Sequence, residues 1–412
     1  MRASKGKMNS AQVDDASVCA SISFSKDRCN IHTFYEFFAG GGMARAGLGQ
    51  HWRCLFANDS DQKKSRIYRE NWNGGAELKT ADVGSLTTSD LPGAPQLAWA
   101  SFPCQDLSLA GDGAGLKGDR SGTFWPFWNL MKGLIAENRA PRLIVLENVC
   151  GTLTSHDGKD FRTICGGFQL AGYSVGAVVV DASLFVPHSR PRLFIIGVHT
   201  DTTIPERQTA DGPSSPWHTR ALKTAYEKLP IETKQAWKWW KLPMPPHREA
   251  TLADLIEENP ANTPWFSADA TQDLLGMMSE TNRAKVVKAK RYGRKIVGGV
   301  YKRTRPDASG RKVQRAEIRF DDVSGCLRTP AGGSSRQVIL VVDRQSVKAR
   351  LISSRETARL MGLPDEYKLP ENYNEAYHLT GDGVVVPVVR HLAEHIFEPI
   401  LAASLLRETV AA

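Results

Sequence analysis

Cysteine is scarce in this chain and shows no pairing pattern. Seven among 412 residues (Cys19, Cys29, Cys54, Cys104, Cys150, Cys165 and Cys326) make an odd number without a CxxC spacing. That argues against a disulfide framework and against a zinc site, and it fits a reducing compartment. Long apolar runs are missing too, since none approaches the ~20 residues of a membrane span. The opening MRASKGKMNSAQVDDASVCAS has no apolar stretch of the secretory kind, so a cytoplasmic chain without membrane contact is expected. Internal repeats are absent. Acidic residues are nearly missing from 283–315, where thirteen Lys and Arg face one Asp. Of the chain's formal +9 this segment alone supplies +12, so the remainder carries −3. A basic patch so concentrated is the electrostatic footprint of a nucleic-acid binder, with a solvated loop as the alternative.

What is present has a clear rhythm. Residues 1–30 are polar and aperiodic, and a flexible tail is expected there. From 31 onward strand-like and helix-like segments alternate: IHTFYEFF, a helix from Met43, RCLFAND, DQKKSRIYREN, QLAWAS, TFWPFWNLMKGLIAEN, RLIVLENV, GKDFRTICGGFQLAG, YSVGAVVVDA and RLFIIGVH. This alternation over some 170 residues predicts a parallel, doubly wound α/β sheet for 31–200. Residues 201–345 are rich in Pro, Trp, Lys and Arg and lose the βα rhythm, so an irregular inserted domain is expected there. In 346–412, SSRETARLMG carries a Ser/Glu capping pattern, and VVPVVRHLAEHIFEPILAASLL is an apolar helix opened by Pro387. Such a helix needs a partner, and the first domain is the expected one. Trp237 and Trp240, one helical turn apart, read as core.

Four motifs carry chemistry. FYEFFAGGGMARAGLG runs from strand through three glycines into a helix, a geometry that lets backbone approach a nucleotide-type ligand. It is not the dinucleotide fingerprint, because Arg45 stands at the third glycine position, and no GK[ST] makes it a phosphate loop. A ligand with one carboxylate and an adenosine, such as S-adenosylmethionine, suits it. Asp59, ending the second strand, is placed for ribose hydroxyls, and Asp82 for the adenine amino group; helix caps are the alternative for both. Pro103-Cys104-Gln105 leaves a strand end. Glu147 and Asn148 end another strand, and Arg190 and Arg192 lead into one. Strand-end loops of one sheet converge, so a thiol, a carboxylate and two arginines meet beside an adenosyl pocket.

In linear order, the blocks FFAGGGMARAGLG, FPCQDLS, LENVCG, HSRPR, RETARLMGLPDEY and GDGVVVPVVR resemble those of the bacterial-type DNA (cytosine-5) methyltransferase family. The resemblance covers 34–200 and 350–395, with the family's variable region between. It implies a Rossmann-like doubly wound sheet of the S-adenosylmethionine-dependent methyltransferase fold, completed by the C-terminal helices, with a target-recognition domain inserted at 201–345. It also implies S-adenosyl-L-methionine as cofactor and double-stranded DNA as substrate. A cognate restriction endonuclease is an expected partner, and the chain is expected to be a monomer.

The resemblance assigns roles. Cys104 is the covalent catalyst that adds to C6 of cytosine and makes C5 nucleophilic. Glu147 hydrogen-bonds N3, Arg192 binds O2, and Arg190 braces the catalytic loop. Phe38 packs on the adenine, with Ala39, Gly40, Gly42 and Pro103 around the cofactor. Chemistry on C5 requires a flipped base, and the glycine-rich SLAGDGAGLKGDRSG closes over it, with Ser108 and Arg120 on the DNA backbone. Arg328 and Arg336 flank TPAGGSS as candidate base readers. Four positions depart from the family: Glu36 replaces Asp, Met43 Gly, His188 Gln and Asp382 Asn. Asp382 thereby adds a carboxylate near the cofactor carboxyl. The alternatives are a tRNA cytosine-5 methyltransferase, although its Cys-Phe-Thr segment is missing, a catalytically silent DNA-binding relative, and a dinucleotide oxidoreductase.

Overall fold

The computed structural model describes residues 31–102, 124–306, 309–328 and 336–411. Its centre is a seven-stranded sheet of order β3-β2-β1-β4-β5-β7-β6. The strands are β1 (His32–Phe37), β2 (Trp52–Asp59), β3 (Leu78–Thr80), β4 (Leu97–Ala100), β5 (Leu143–Val149), β6 (Tyr173–Asp181) and β7 (Pro191–His199). Helices α1 (Met43–Leu48), α2 (Gln62–Asn71), α3 (Phe124–Ala136) and α4 (Lys159–Leu170) alternate with them. The strands are buried on both faces, as covered α/β sheets require. In β4, Leu97 and Trp99 enter one core cluster and Ala98 and Ala100 the other; β5 divides its Leu143, Ile144, Val145 and Leu146 the same way. This is the Rossmann-like α/β architecture.

Chain order reverses between β1 and β4, the switch point where such sheets hold ligands. One strand departs from the expected parallel arrangement. β7 runs antiparallel to both β5 and β6. The difference is decisive for function, because in a wholly parallel sheet the start of β7 would lie on the edge opposite the ends of β1, β4 and β5. Reversed, β7 pairs Arg192 with Val149 and Leu193 with Asn148. The arginines and Glu147 therefore share one edge.

The region after 200 holds more regular structure than its composition suggests. A two-residue ladder joins β8 (Thr209–Ala210) to β9 (Trp239–Trp240), around helices α5 (Arg220–Glu227) and α6 (Ile231–Gln235). This stretch lies on the main sheet: Val175 of β6 bridges to Trp237, and the backbone passes so close that a Cβ on Gly176 would stand 2.0 Å from the Lys238 carbonyl oxygen. Trp237 and Trp240 are buried, but on extended chain rather than a helix turn. Helices α7 (Ala268–Gly276) and α8 (Glu280–Arg291) then cover a four-stranded antiparallel sheet of order β11-β10-β12-β13. Its strands are β10 (Lys295–Pro306), β11 (Lys312–Arg319), β12 (Val338–Asp343) and β13 (Ser346–Leu351). Its third core cluster includes Leu274, Val286, Val300, Ile318, Leu340 and Val342. The stretch 209–256 packs on the first sheet, and Val297, Leu327, Ile339, Val341 and Ile352 join the four-stranded sheet to the core cluster that holds Phe34 and Trp99.

The C-terminal segment returns to that first sheet. α9 (Ser354–Leu360) starts on the Ser353/Glu356 capping box, and α10 (Tyr373–Asp382) on Asn372. α11 (Val386–Leu392) continues through a π-turn into α12 (Glu398–Ala411). Val389, Leu392, Ile396, Phe397 and Ile400 enter the cluster that holds Phe34 and Trp99. Glu398 accepts from the Trp52 indole at 2.8 Å. Among the described residues no helix is long and apolar enough to cross a membrane.

Candidate active site

The glycine loop leaves β1 in an unusual conformation. Phe38, Gly40 and Gly42 all have positive φ, at 57°, 56° and 79°. For phenylalanine that region costs about 1–3 kcal/mol and persists only where surroundings enforce it, typically at a functional site. A Cβ on Gly40 would meet nothing within 4 Å, so this glycine borders open space. The loop is held from behind. The Gly41 carbonyl accepts from the Tyr367 hydroxyl at 2.7 Å and the Trp72 indole at 3.0 Å. Buried Glu36 accepts the backbone N–H of Arg45 at 3.3 Å and so anchors the start of α1. Burial pushes its pKa up to about 8.

Asp59 is buried, and its carboxylate accepts the N–H groups of Gly40 at 2.7 Å and Asp61 at 2.8 Å. It fastens the loop to the end of β2, with one lone pair on each oxygen left for a ligand. Asp82 is exposed and caps the short turn that follows it, accepting from Gly84 N–H at 2.7 Å. The cap is what the structure shows for Asp82.

Across the switch point, buried Glu147 meets Arg192, with Nε 3.1 Å from Oε1. Asn148 turns inward and donates to the Phe102 carbonyl at 3.4 Å, tying β5 to the end of β4. Arg190 is completely enclosed. Its guanidinium donates to the carbonyls of Gly381 and Gly383, both at 2.8 Å, and of Leu327 at 3.4 Å. Among the described residues, then, it braces the segment after α10 and the base of the 329–335 connection; the loop it was expected to brace is not among them. His188 does related work. Nδ1–H donates to the Leu360 carbonyl and Nε2 accepts Leu327 N–H, both at 3.2 Å. These bonds require the neutral ring, and burial lowers its pKa. Cys326 sits against the same pair, 3.5 Å from Arg190 Nη1. Burial opposes its ionisation, but Arg190, His188 and Arg192 hold the thiol well below the ordinary cysteine value.

Pro103, Cys104, Ser108 and Arg120 lie outside the described residues. Phe102, which precedes them, ends at the same sheet edge as Glu147. The two candidate readers differ from each other. Arg328 is exposed at the near end of 329–335. Arg336, at the far end, donates to the Asn374 side chain and lies over the Tyr373 ring at 5.6 Å. It is engaged with α10 rather than open to a groove.

The profile of the C-5 cytosine-specific DNA methylase family matches residues 32–398. The chain belongs to that family. It is a DNA cytosine-5 methyltransferase. Among curated relatives, the type II methyltransferase M.BsuFI of Bacillus subtilis is 25% identical over 90% of this chain and 74% of its own. M.HpaII of Haemophilus parainfluenzae is 25% identical over 89% of this chain and 90% of its own. Among solved structures, Entamoeba histolytica methyltransferase EhMeth superposes with a TM-score of 0.58 at 13% identity, covering 89% of this chain and 98% of that one.

The shared edge thus holds a carboxyl and a guanidinium side by side, and the glycine loop stands on the other side of the switch point. Several residues that build this edge carried no isolated signal in the sequence. Tyr367 and Leu360 belong to the RETARLMGLPDEY block, yet nothing in that block announces a contact with Gly41 or His188. Lys64 looked like an ordinary surface residue of α2. Its ammonium is paired with Asp382 at 2.8 Å.

Proposed function

We propose that this enzyme transfers a methyl group from S-adenosylmethionine to C5 of a cytosine flipped out of double-stranded DNA, through a covalent bond between Cys104 and C6. The observation that carries the reading is the buried Glu147–Arg192 pair on the edge where the glycine loop and the segment bearing Cys104 both leave the sheet. The residues present fit the cofactor. Gly40 borders open space, Asp59 has acceptor capacity for ribose hydroxyls, and Phe38 is held in a strained conformation at the loop's entry. Phe38, Ala39, Gly40, Gly42, Asp59, Asp82 and Pro103 would hold S-adenosylmethionine, which supplies an electrophilic methyl group.

The remaining chemistry belongs to this chain and the base. The Cys104 thiolate adds to C6 while Glu147 hydrogen-bonds N3 and Arg192 the O2 oxygen, both offsetting charge that develops on the ring. C5 thereby becomes nucleophilic and takes the methyl group. Loss of the C5 proton then expels the thiolate and restores the aromatic base. Ser108 and Arg120 would contact the DNA backbone, and Arg328 a base. A companion restriction endonuclease for the same site, a monomeric state and action at the bacterial nucleoid complete the reading.

Three measurements test it. Bisulfite sequencing of plasmid from an expressing, methylation-free host reports activity and target together. Wild type should also form a covalent adduct with DNA containing 5-fluorocytosine, because C5 then has no proton to lose. Cys104→Ser should lose turnover by about three orders of magnitude or more while retaining DNA binding. Turnover by the serine variant, or wild type that modifies tRNA and not DNA, overturns the reading.

A further inference from the structure

With S-adenosylmethionine at the glycine loop, its amino-acid end would bring a carboxylate to a place where the structure already holds one. Asp382 ends α10, and the next residue, Gly383, lies so close to the loop that a Cβ on it would stand 2.2 Å from the Met43 sulfur. Arg190 fixes this position by clasping the carbonyls on either side of Asp382. The Asp382 side chain is 43% exposed, so it faces solvent beside the loop rather than the core. Two carboxylates this near one another repel, and a partly covered site screens that repulsion poorly.

The compensating charge comes from a different element. Lys64, in the first turn of α2, reaches across to Asp382 Oδ2 at 2.8 Å, with only 22% of its side chain exposed. The Asp59 and Asp61 carboxylates also act on it. Burial works against its charge, yet these three acids together keep its pKa above the ordinary lysine value. Asp59 is the group that binds Gly40 N–H, so the ammonium lies within the field of both the carboxylate that holds the loop and the one that ends α10. Its position is not needed to dock α2 on α10, because Lys63 and Arg66 both pair with Glu375, about two turns before Asp382.

We infer that Lys64 is a cofactor-pocket residue: it neutralises Asp382 and thereby lets the pocket accept the carboxylate of the methionine moiety. The inference rests on the reading of the glycine loop as an S-adenosylmethionine site. Removing Lys64 leaves Asp382 bare and penalises any ligand bearing that carboxylate. Removing both charges together removes the penalty. An adenosyl ligand without the amino-acid end is indifferent to either change.

The experiment is calorimetric titration of the full chain with S-adenosylhomocysteine and with 5′-methylthioadenosine, which lacks the amino-acid end. The variants are Lys64→Met, Asp382→Asn and the pair combined, each with its melting temperature measured. Lys64→Met should bind S-adenosylhomocysteine about tenfold or more weakly, with 5′-methylthioadenosine unchanged. Asp382→Asn and the double variant should both lie within about threefold of wild type. Unaltered affinity in Lys64→Met overturns the inference. So does a double variant as weak as Lys64→Met, or a Lys64→Met that loses both ligands equally. Wild type that binds neither ligand overturns the cofactor reading and this inference with it, whereas a wrong pattern among variants of a binding wild type overturns the inference alone.

Discussion

The two sheets of this enzyme use their side chains differently. In the seven-stranded sheet the strands are covered on both faces, and the charged groups at its functional edge are committed: Glu147 to Arg192, Asp59 to the glycine loop, Arg190 to three carbonyls. In the four-stranded sheet β12 is buried on both sides, with Ile339 and Val341 turned toward the main core and Leu340 and Val342 toward α7 and α8, and β10 divides Val297 and Val300 between the same two clusters. Around that anchor Arg303 pairs with Glu317 and Arg319 with Asp321, but much of the charge is uncommitted. Arg283, Lys288, Arg291, Arg294, Lys312 and Arg315 are exposed, and among the described residues none is paired with a carboxylate. Committed charge gives fixed geometry for chemistry; uncommitted charge gives a surface that meets a polyanion without first breaking a bond.

That contrast can be broken most severely at the joint. Arg350 of β13 and Glu356 of α9 form an ion pair with no exposure on either side, and the Arg350 guanidinium also bonds the Glu257 carbonyl and stacks 4.9 Å from Trp265. Arg350→Met leaves Glu356 buried and uncompensated and should lower stability by about 3–5 kcal/mol, measured by denaturant unfolding. A loss below ~1 kcal/mol would mean the two sheets are joined elsewhere.

Glu36 tests the committed side. Its folded pKa of about 8 lies above the usual 4.5, so between those values the folded chain keeps a proton that the unfolded chain has released. Stability therefore falls as pH rises through that window. Glu36→Gln should flatten the decline in melting temperature between about pH 5 and pH 8; an unchanged slope assigns the pH dependence to other groups.

The uncommitted side is tested by replacing Arg283, Lys288, Arg291 and Arg294 with glutamine. Stability should change by less than about 0.5 kcal/mol, because surface positions without partners contribute little. Affinity for every DNA sequence should fall alike, and the salt dependence should flatten by roughly one unit of slope for each phosphate no longer neutralised. An intact slope would place DNA on another face. The finest distinction is between the two arginines around 329–335. Arg328→Ala should cost about 1–3 kcal/mol on the cognate site and relax one position. Arg336→Ala should alter the loop's anchorage to α10 with no single position relaxed, in a methylation profile over randomised DNA.

Most of the catalytic half was legible because a sheet covered on both faces writes itself as apolar runs ending in chemistry, as QLAWAS and RLIVLENV do. The reversal of β7 departs from the parallel sheet expected of the sequence, although a length argument accounts for it. Only residues 182–190 separate β6 from β7, too few for the helical crossover that a parallel pair needs. The second sheet was hidden because β10 and β11 carry the basic segment, and Lys and Arg dilute the period-two pattern until only Val297, Val300, Ala316 and Ile318 remain as buried markers. Lys64 was invisible for another reason. Its significance lies in Asp382, 318 residues away, and no local spacing reports such a pairing.

The return of the C-terminal helix sets an order of events during synthesis. Glu398 binds Trp52, Arg390 donates to the Leu48 carbonyl, and Phe397 lies against Trp99. Tyr367 closes on Gly41 across 326 residues. The strands β1, β2 and β4 must therefore wait, with one face open, for α11 and α12. Contacts of such long sequence separation form slowly and leave intermediates prone to association. A chain halted before α11 therefore carries a glycine loop and a first sheet whose covering helices have not yet been made.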